Sequence, residues 1–250
     1  MPSTQRFSNQ EGTYTLDQLP AHLDLQALLP GDGPLEIEIG FGKGRYLLEQ
    51  AMAHPERRYL GIEVATKYYK ILNRRARRRE LTNLLAVRGE ALYLLSTTLP
   101  QGIASVVHVY FPDPWPKSKH HRRRLFDPQT VDLVLGLMAP DGQLCFATDF
   151  LEYGELVHQI LLGVPGLEVR EHEGPWPDGA RTHYESKYMV EGRPILRLTA
   201  RFAEGHAPDA LHPEGKPGIL TAWRPLEEDA DSVEGDGENA SSASDSRGSE

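Results

Sequence analysis

The sequence is poor in cysteine and has no long apolar run. Cys145 is the single cysteine among 250 residues, which excludes a disulfide framework and a cysteine-based zinc site and fits a reducing compartment. No segment reaches the ~18 consecutive apolar residues of a transmembrane helix. The first thirty residues lack a basic start followed by an apolar core, so we expect no signal peptide. These absences predict a cytoplasmic protein without a membrane partner.

Positive charge is low overall, but the deficit is confined to one end of the chain. The formal net charge is -9, and residues 227–250 contain nine acidic side chains and one arginine, a net of -8. Subtracting -8 from -9 leaves -1 for residues 1–226. Nine Lys or Arg lie within 57–79 and five within 117–124. Because local patches decide binding to nucleic acid, the acidic total does not exclude an RNA partner.

Composition divides the chain into four parts. We expect an N-terminal extension at 1–30, one α/β domain at 31–203, an irregular extension at 204–226 and a disordered acidic tail at 227–250. The tail has too few apolar side chains to offset the entropy of ordering. Its charge suggests that it occupies the basic patches until RNA displaces it. Residues 17–29 contain at most a short helix.

Apolar runs and helical periodicity alternate through the predicted domain. A buried stripe of Tyr68, Leu72 and Ala76 is expected in the second helix, and Asp127 is expected to cap the third. The alternation predicts a doubly wound, mostly parallel sheet with helices on both faces, whose ligands lie beyond the carboxyl ends of the strands. Strands are predicted at 35–39, 58–64, 84–88, 103–111, 142–150, 167–173, 187–190 and 194–202, and helices at 45–53, 66–80, 127–138 and 151–163.

A glycine-rich loop with the sequence EIGFGKG joins the first strand to its helix. Its G-x-G-x-G pattern differs from the dinucleotide pattern G-x-G-x-x-G, and its glycines are Gly40, Gly42 and Gly44. Glu63, at the end of the second strand, can accept hydrogen bonds from both hydroxyls of a ribose, and Glu38 can meet an ammonium group. A ligand with a ribose and an amino-acid end is S-adenosylmethionine.

Each of these residues also has an ordinary structural explanation. The glycines can form a plain turn, Glu38 can face solvent, and Glu63 can favour a helix start through the helix dipole. Glu90, after the third strand, can reach an adenine or simply begin a helix.

The fourth strand leads into FPDPWPKSKHHRRR. Its prolines restrict the backbone around Asp113, so this carboxylate and the indole of Trp115 are held rigidly. A rigid carboxylate can accept from the N1–H and amine of guanine while an indole stacks on the base. A proline turn with an exposed aspartate is the alternative. The cations that follow fit phosphate contacts or a solvated face.

The motifs EIGFGKG, GIEV, FPDPWPKSKHHRRR, ATD and THYE, in this order, resemble those of bacterial tRNA (guanine-N7-)-methyltransferases over roughly residues 34–200. The resemblance implies a class I methyltransferase fold, a Rossmann-like α/β sheet of seven strands with the last antiparallel. It also implies methylation of N7 of guanine 46 in the variable loop of tRNA, with S-adenosyl-L-methionine as donor.

The same resemblance implies roles for individual residues. Asp113 is expected to be the catalytic carboxylate. The cofactor-binding residues are expected to be Glu38, Gly40, Gly42, Gly44, Glu63, Glu90 and Asp113. The substrate-binding residues are expected to be Lys117, Asp149, Thr182, His183, Tyr184 and Glu185. Contacts with the RNA backbone are expected from Lys119, His120, His121, Arg122, Arg123 and Arg124.

Several alternatives remain at this stage. PDPW also loosely resembles motifs of amino-group methyltransferases, and a non-catalytic RNA-binding module or an NAD-dependent oxidoreductase are further possibilities. The basic residues of 66–80 suit either a solubilising face or a track for tRNA. His120 and His121 lack carboxylate or cysteine neighbours in sequence, so we expect no metal. Monomer and homodimer are both compatible with the sequence.

Overall fold

The computed structural model describes residues 24–116 and 124–206. The strands are β1 Leu35–Ile39, β2 Arg58–Glu63, β3 Leu84–Arg88, β4 Ala104–Tyr110, β5 Met138–Thr148, β6 Leu167–Glu171 and β7 Leu196–Phe202. The helices are α1 Leu25–Leu28, α2 Arg45–Ala53, α3 Thr66–Arg78, α4 Ala91–Thr97, α5 Val131–Leu135, α6 Leu151–Leu162 and α7 His183–Val190. Within these residues no helix has the length and apolar character needed to cross a membrane.

The strands form one seven-stranded sheet in the order β3-β2-β1-β4-β5-β7-β6. Strands β1 to β5 pair in parallel, and β7 runs antiparallel to both β5 and β6. The predicted doubly wound sheet with an antiparallel last strand is therefore confirmed. The chain order reverses at β1, which lies between β2 and β4, and such a reversal leaves a crevice at the carboxyl ends of the strands.

The two faces of the central strands differ in chemistry. One face carries apolar side chains such as Ile37, Val109 and Phe146, which are fully buried. The opposite face carries Glu36 and His108, which are also buried, because side chains alternate along a strand. One face thus supplies the apolar core, and the other places titratable groups below the crevice.

The strand predicted at 187–190 is wrong, because these residues belong to α7. The side chain of Thr182 caps this helix by accepting from the Glu185 N–H at 3.0 Å. The T-x-x-E spacing is the sequence signature of a capped helix start. A run as short as KYMV cannot by itself distinguish a strand from a helix, so the capping pattern was the stronger signal.

Two helix details also differ from the sequence prediction. Tyr69, not Tyr68, joins the buried stripe of α3. Helix α5 begins after Thr130 rather than at Asp127. The carboxylate of Asp127 instead accepts from the Gln129 N–H, in a turn that precedes the helix. The predicted domain limits and tail reach into 1–23 and 207–250, which lie outside the described residues.

Candidate active site

Three acidic residues meet at the crevice between β1, β2 and β4. Glu38 lies in β1, Glu63 is the last residue of β2, and Asp113 follows β4 by three positions. Burial raises the pKa of Glu63, backbone N–H groups oppose the rise, and the charge of Asp113 adds to it. Burial likewise raises the pKa of Asp113. The crevice therefore brings three carboxyl groups together, and a cationic ligand would favour their ionised forms.

The glycine loop leaves open space above the end of β1. Gly40 and Gly42 have φ angles of 76° and 51°, which L-residues with a side chain rarely adopt. A Cβ atom at either position would meet no protein atom within 4 Å. At Gly44, with φ 67°, a Cβ would lie 2.6 Å from the side chain of Leu72. The first two glycines thus leave room for a ligand, whereas Gly44 permits close packing against α3.

Glu63 fastens the glycine loop to the end of β2. One carboxylate oxygen accepts from the Gly42 N–H at 2.8 Å, and the other accepts from the Ala65 N–H at 2.9 Å. An ionised carboxylate has about four acceptor positions, so these bonds leave capacity for ligand hydroxyls. Glu63 also lies beside the positive N-terminal end of the α3 dipole. It can therefore stabilise the start of α3 and bind a ligand at the same time.

Glu38 is buried, with 2% of its surface exposed, and its Oε2 atom has no hydrogen-bond partner in the described structure. Burial raises the pKa of this carboxyl to about 8, against the effect of His108 and with a further rise from Glu63. An unpartnered carboxylate oxygen inside a protein is costly unless a donor satisfies it. A ligand ammonium in the crevice would supply that donor.

A buried polar network lies beneath Glu38, and sequence reasoning missed it. Glu36 accepts from His108 Nε2 at 2.9 Å and from the Tyr46 hydroxyl at 3.2 Å, and Arg57 donates to its other oxygen. Burial favours the neutral acid, but His108 and Arg57 lower the pKa of Glu36 to about 2. Burial disfavours the imidazolium, but Cys145 and Glu36 raise the pKa of His108 to about 9. Alternating glutamates within the apolar run LEIEI were the available signal.

The loop that carries Asp113 is bracketed by two aromatic residues in left-handed conformations. Phe111 has φ 52° and Trp115 has φ 40°. Such conformations cost about 1–3 kcal/mol each and persist where the surroundings enforce them. Arg124 is one of these surroundings, because its guanidinium donates to the carbonyls of Pro114 at 2.8 Å and Trp115 at 3.3 Å.

Arg124 was expected to contact the RNA backbone, but the structure places it inside the protein. It is buried, and its guanidinium lies 5.0 Å from the centre of the Tyr153 ring. In this position the side chain holds the PDPW turn beside α6.

The THYE segment divides into a structural and an accessible half. Glu185 is fully buried and accepts from Arg197 Nε at 2.7 Å and from the Arg181 N–H at 2.8 Å. Thr182 is occupied as the cap of α7. His183 and Tyr184 are exposed. The structure therefore gives Thr182 and Glu185 the task of positioning α7, and it leaves His183 and Tyr184 accessible.

Aromatic side chains form a cluster on the Asp113 side of the crevice. The ring centres of Phe111 and Tyr188 are 5.6 Å apart, and those of Tyr184 and Tyr188 are 6.0 Å apart. Arg193 lies 4.5 Å from the Tyr188 ring and 3.4 Å from a carboxylate oxygen of Asp149. This arrangement connects Asp149 to the aromatic cluster. The spacing of Tyr184 and Tyr188, four residues apart on a helix, was the sequence signal for the cluster.

Glu90 is engaged at the start of α4. Its two carboxylate oxygens accept from the N–H groups of Leu92 at 3.2 Å and Tyr93 at 2.7 Å. These bonds match the helix-start reading of this residue. Lys117, Lys119, His120, His121, Arg122 and Arg123 lie in 117–123, outside the described residues. Within 24–116 and 124–206, no three His, Cys, Asp or Glu side chains are grouped to hold a metal ion.

Comparison with known sequences identifies relatives over most of the chain. Residues 32–198 match a family described as "Putative methyltransferase". A tRNA (guanine-N(7)-)-methyltransferase of Nitrosococcus oceani is 36% identical over 185 residues, covering 74% of this chain and 78% of the relative. The enzyme of the same name from Alkalilimnicola ehrlichii is 37% identical over 196 residues, covering 76% and 83%.

Comparison with solved structures supports the fold. The 16S rRNA methyltransferase KamB superposes with a TM-score of 0.55 at 13% identity and covers 73% of this chain and 94% of its own. The aminoglycoside resistance methyltransferase NpmB1 gives a TM-score of 0.51 at 17% identity, covering 72% and 92%. At these identities the likeness shows a Rossmann-like methyltransferase fold.

Proposed function

Because the chain belongs to the methyltransferase family that includes the tRNA (guanine-N7-)-methyltransferases, we propose that it methylates N7 of guanine 46 in tRNA, with S-adenosyl-L-methionine as donor. The observation that carries the choice of donor is the crevice with the unpartnered oxygen of Glu38. S-adenosylmethionine carries its methyl group on a cationic sulfur. The lone pair of guanine N7 can attack that methyl group directly, because N7 has no proton to lose first.

The residues of the crevice fit both ends of this donor. Glu38 would pair with the ammonium group, which satisfies its free oxygen and favours its ionised form. Glu63 would accept from the ribose hydroxyls while its bonds to the glycine loop keep it in place. The space above Gly40 and Gly42 would admit the chain between these ends.

The acceptor base would enter between the Asp113 loop and α7. Tyr184 is 53% exposed and Phe111 lies beside it, with their ring centres 6.4 Å apart. Aromatic side chains of this kind stack on unpaired bases. Asp113 would accept from the N1–H and amine of guanine, which distinguishes guanine from adenine.

Asp113 would also contribute to the reaction electrostatically. Guanine gains positive charge as its N7 lone pair forms the new bond to carbon, and a fixed carboxylate nearby stabilises that charge. Arg124 and the left-handed residues around the turn hold the carboxylate in one position before the base arrives. Alignment of the two reactants supplies the rest of the acceleration.

The test is to incubate the protein with labelled S-adenosylmethionine and an unmodified tRNA transcript and to identify the modified nucleoside by mass spectrometry. We expect 7-methylguanosine, and we expect none from a transcript with adenosine at position 46. Methyladenosine, methylated protein or unchanged tRNA would contradict the proposal.

Two variants test the assigned roles. Asp113→Asn retains the shape of the side chain but loses its charge, so we expect at least a hundredfold lower kcat. Affinity for tRNA should be largely retained, because phosphate contacts supply most of it. Glu63→Gln should weaken donor binding at least tenfold. Glu152→Gln, an exposed acid on α6, is the matched control and should leave both quantities unchanged.

A further inference from the structure

Helix α3 carries a concentration of positive charge on its surface. Its thirteen residues include six cations and no carboxylate, and a seventh cation, Arg79, follows as its cap. Lys67, Lys70, Arg74 and Arg77 are exposed, on the side away from the buried stripe. None of the seven cations forms an ion pair with a residue of the described parts of the chain.

Several cations on other helices of the described structure have carboxylate partners. Arg45 pairs with Glu49 on α2, and Lys187 pairs with Glu191 at the end of α7, each with i,i+4 spacing. Like charges at this spacing, as on α3, destabilise a helix. Mixed charges would make the helix equally soluble without that cost, so solubility alone does not account for α3.

The positive surface continues to the mouth of the active site. The side chain of Arg75 donates to the carbonyl of Lys43 in the glycine loop at 3.2 Å. Partial burial, together with the charges of Lys43, Arg45 and Arg75, lowers the pKa of His183 at the start of α7. The charges of the glycine loop, α2 and α3 therefore act on one shared region of the surface, at the start of α7.

We propose that α3 and Lys43 form a second binding surface for the phosphate backbone of the RNA substrate, an inference that rests on the proposed function. At a rise of about 1.5 Å per residue, thirteen residues extend about 20 Å, enough to follow several phosphates. Arginine suits this task because its planar fork binds phosphate oxygens in pairs. An acidic protein partner is disfavoured because the surface leads directly to a site for a base.

The proposal is tested by measuring tRNA affinity by fluorescence anisotropy at several salt concentrations. Lys70→Glu with Arg74→Glu should weaken binding at least tenfold and lower the slope of log K against log salt by about 1.4–1.8, or 0.7–0.9 per lost phosphate contact. The matched control is Arg170→Glu with Arg201→Glu. It makes the same change in charge at exposed positions of β6 and β7, at the opposite edge of the sheet, and should preserve the wild-type slope.

Lys70→Ala with Arg74→Ala is the second variant, because alanine favours the helix and the fold is retained. It should lower the slope to a similar extent with a smaller loss of affinity. If both α3 variants bind tRNA with the affinity and slope of the control, α3 is a solvated face and the proposal is overturned. The proposed function has a separate readout. If the wild-type protein forms no 7-methylguanosine but binds RNA through α3, the proposed function is refuted and the proposed RNA-binding surface is supported.

Discussion

Replacement of Glu38 by glutamine should make the stability of the protein less sensitive to alkaline pH. Burial raises the pKa of Glu38 to about 8, so the folded protein retains a proton that the unfolded chain releases near its ordinary value of 4.5. The contribution of protonated Glu38 to the free energy of unfolding is complete below pH 4.5. It decreases as the pH rises above 4.5 and is lost once the pH passes 8. Glutamine has no proton to lose, so the variant escapes this loss.

The magnitude follows from the size of the pKa change. Each factor of ten in an ionisation constant corresponds to about 1.4 kcal/mol, so a change from 4.5 to about 8 corresponds to at most about 5 kcal/mol. The buried amide has its own cost of about 1–3 kcal/mol, which does not depend on pH. We therefore expect the variant to gain about 3–5 kcal/mol relative to the wild type between pH 5 and pH 9.

The free energy of unfolding, measured by urea denaturation across this pH range, tests the prediction. Glu36→Gln is a matched control, because Glu36 lies two residues earlier on the same face of β1 but has a pKa lowered to about 2 by His108 and Arg57 against burial. Its ionised form stabilises the fold, so this variant should be about 3 kcal/mol less stable from pH 5 to pH 8. A pH-independent difference between Glu38→Gln and the wild type would refute the reasoning.

Three further predictions concern the loops and the tail. Arg124→Gln should lower kcat at least tenfold while leaving the tRNA dissociation constant within threefold, because Arg124 holds the PDPW turn; a large loss of tRNA affinity alone would restore its expected role in RNA contact. Gly44→Ala should lower the melting temperature by several degrees through its clash with Leu72. At Gly42→Ala the new Cβ meets no protein atom, but the φ of 51° is strained for alanine. This variant should therefore lower the melting temperature less than Gly44→Ala and weaken donor binding more, and the reverse order would contradict this division. Deletion of 227–250 should tighten tRNA binding at low salt, and an unchanged dissociation constant would dispose of a competing tail.

The order of strands and helices was predictable because its signals are local. The apolar run of β4, the glycine loop after β1 and the cap at Thr182 all lie within a few neighbouring residues. Where a local signal was ignored, as at 187–190, the prediction failed. The chemistry of the crevice was also indicated, because strand ends in a doubly wound sheet must meet at one edge.

The sequence by itself determined the alternation of elements and placed Glu38, Glu63 and Asp113 at or just beyond the carboxyl ends of neighbouring strands. Only the tertiary structure decided which buried carboxylate oxygen lacks a hydrogen-bond partner and which cationic side chain is buried. Segments distant in sequence bury Arg124 under the PDPW turn and leave one oxygen of Glu38 without a partner. Burial and pairing depend on contacts between such segments, and these contacts leave no periodic trace in the sequence.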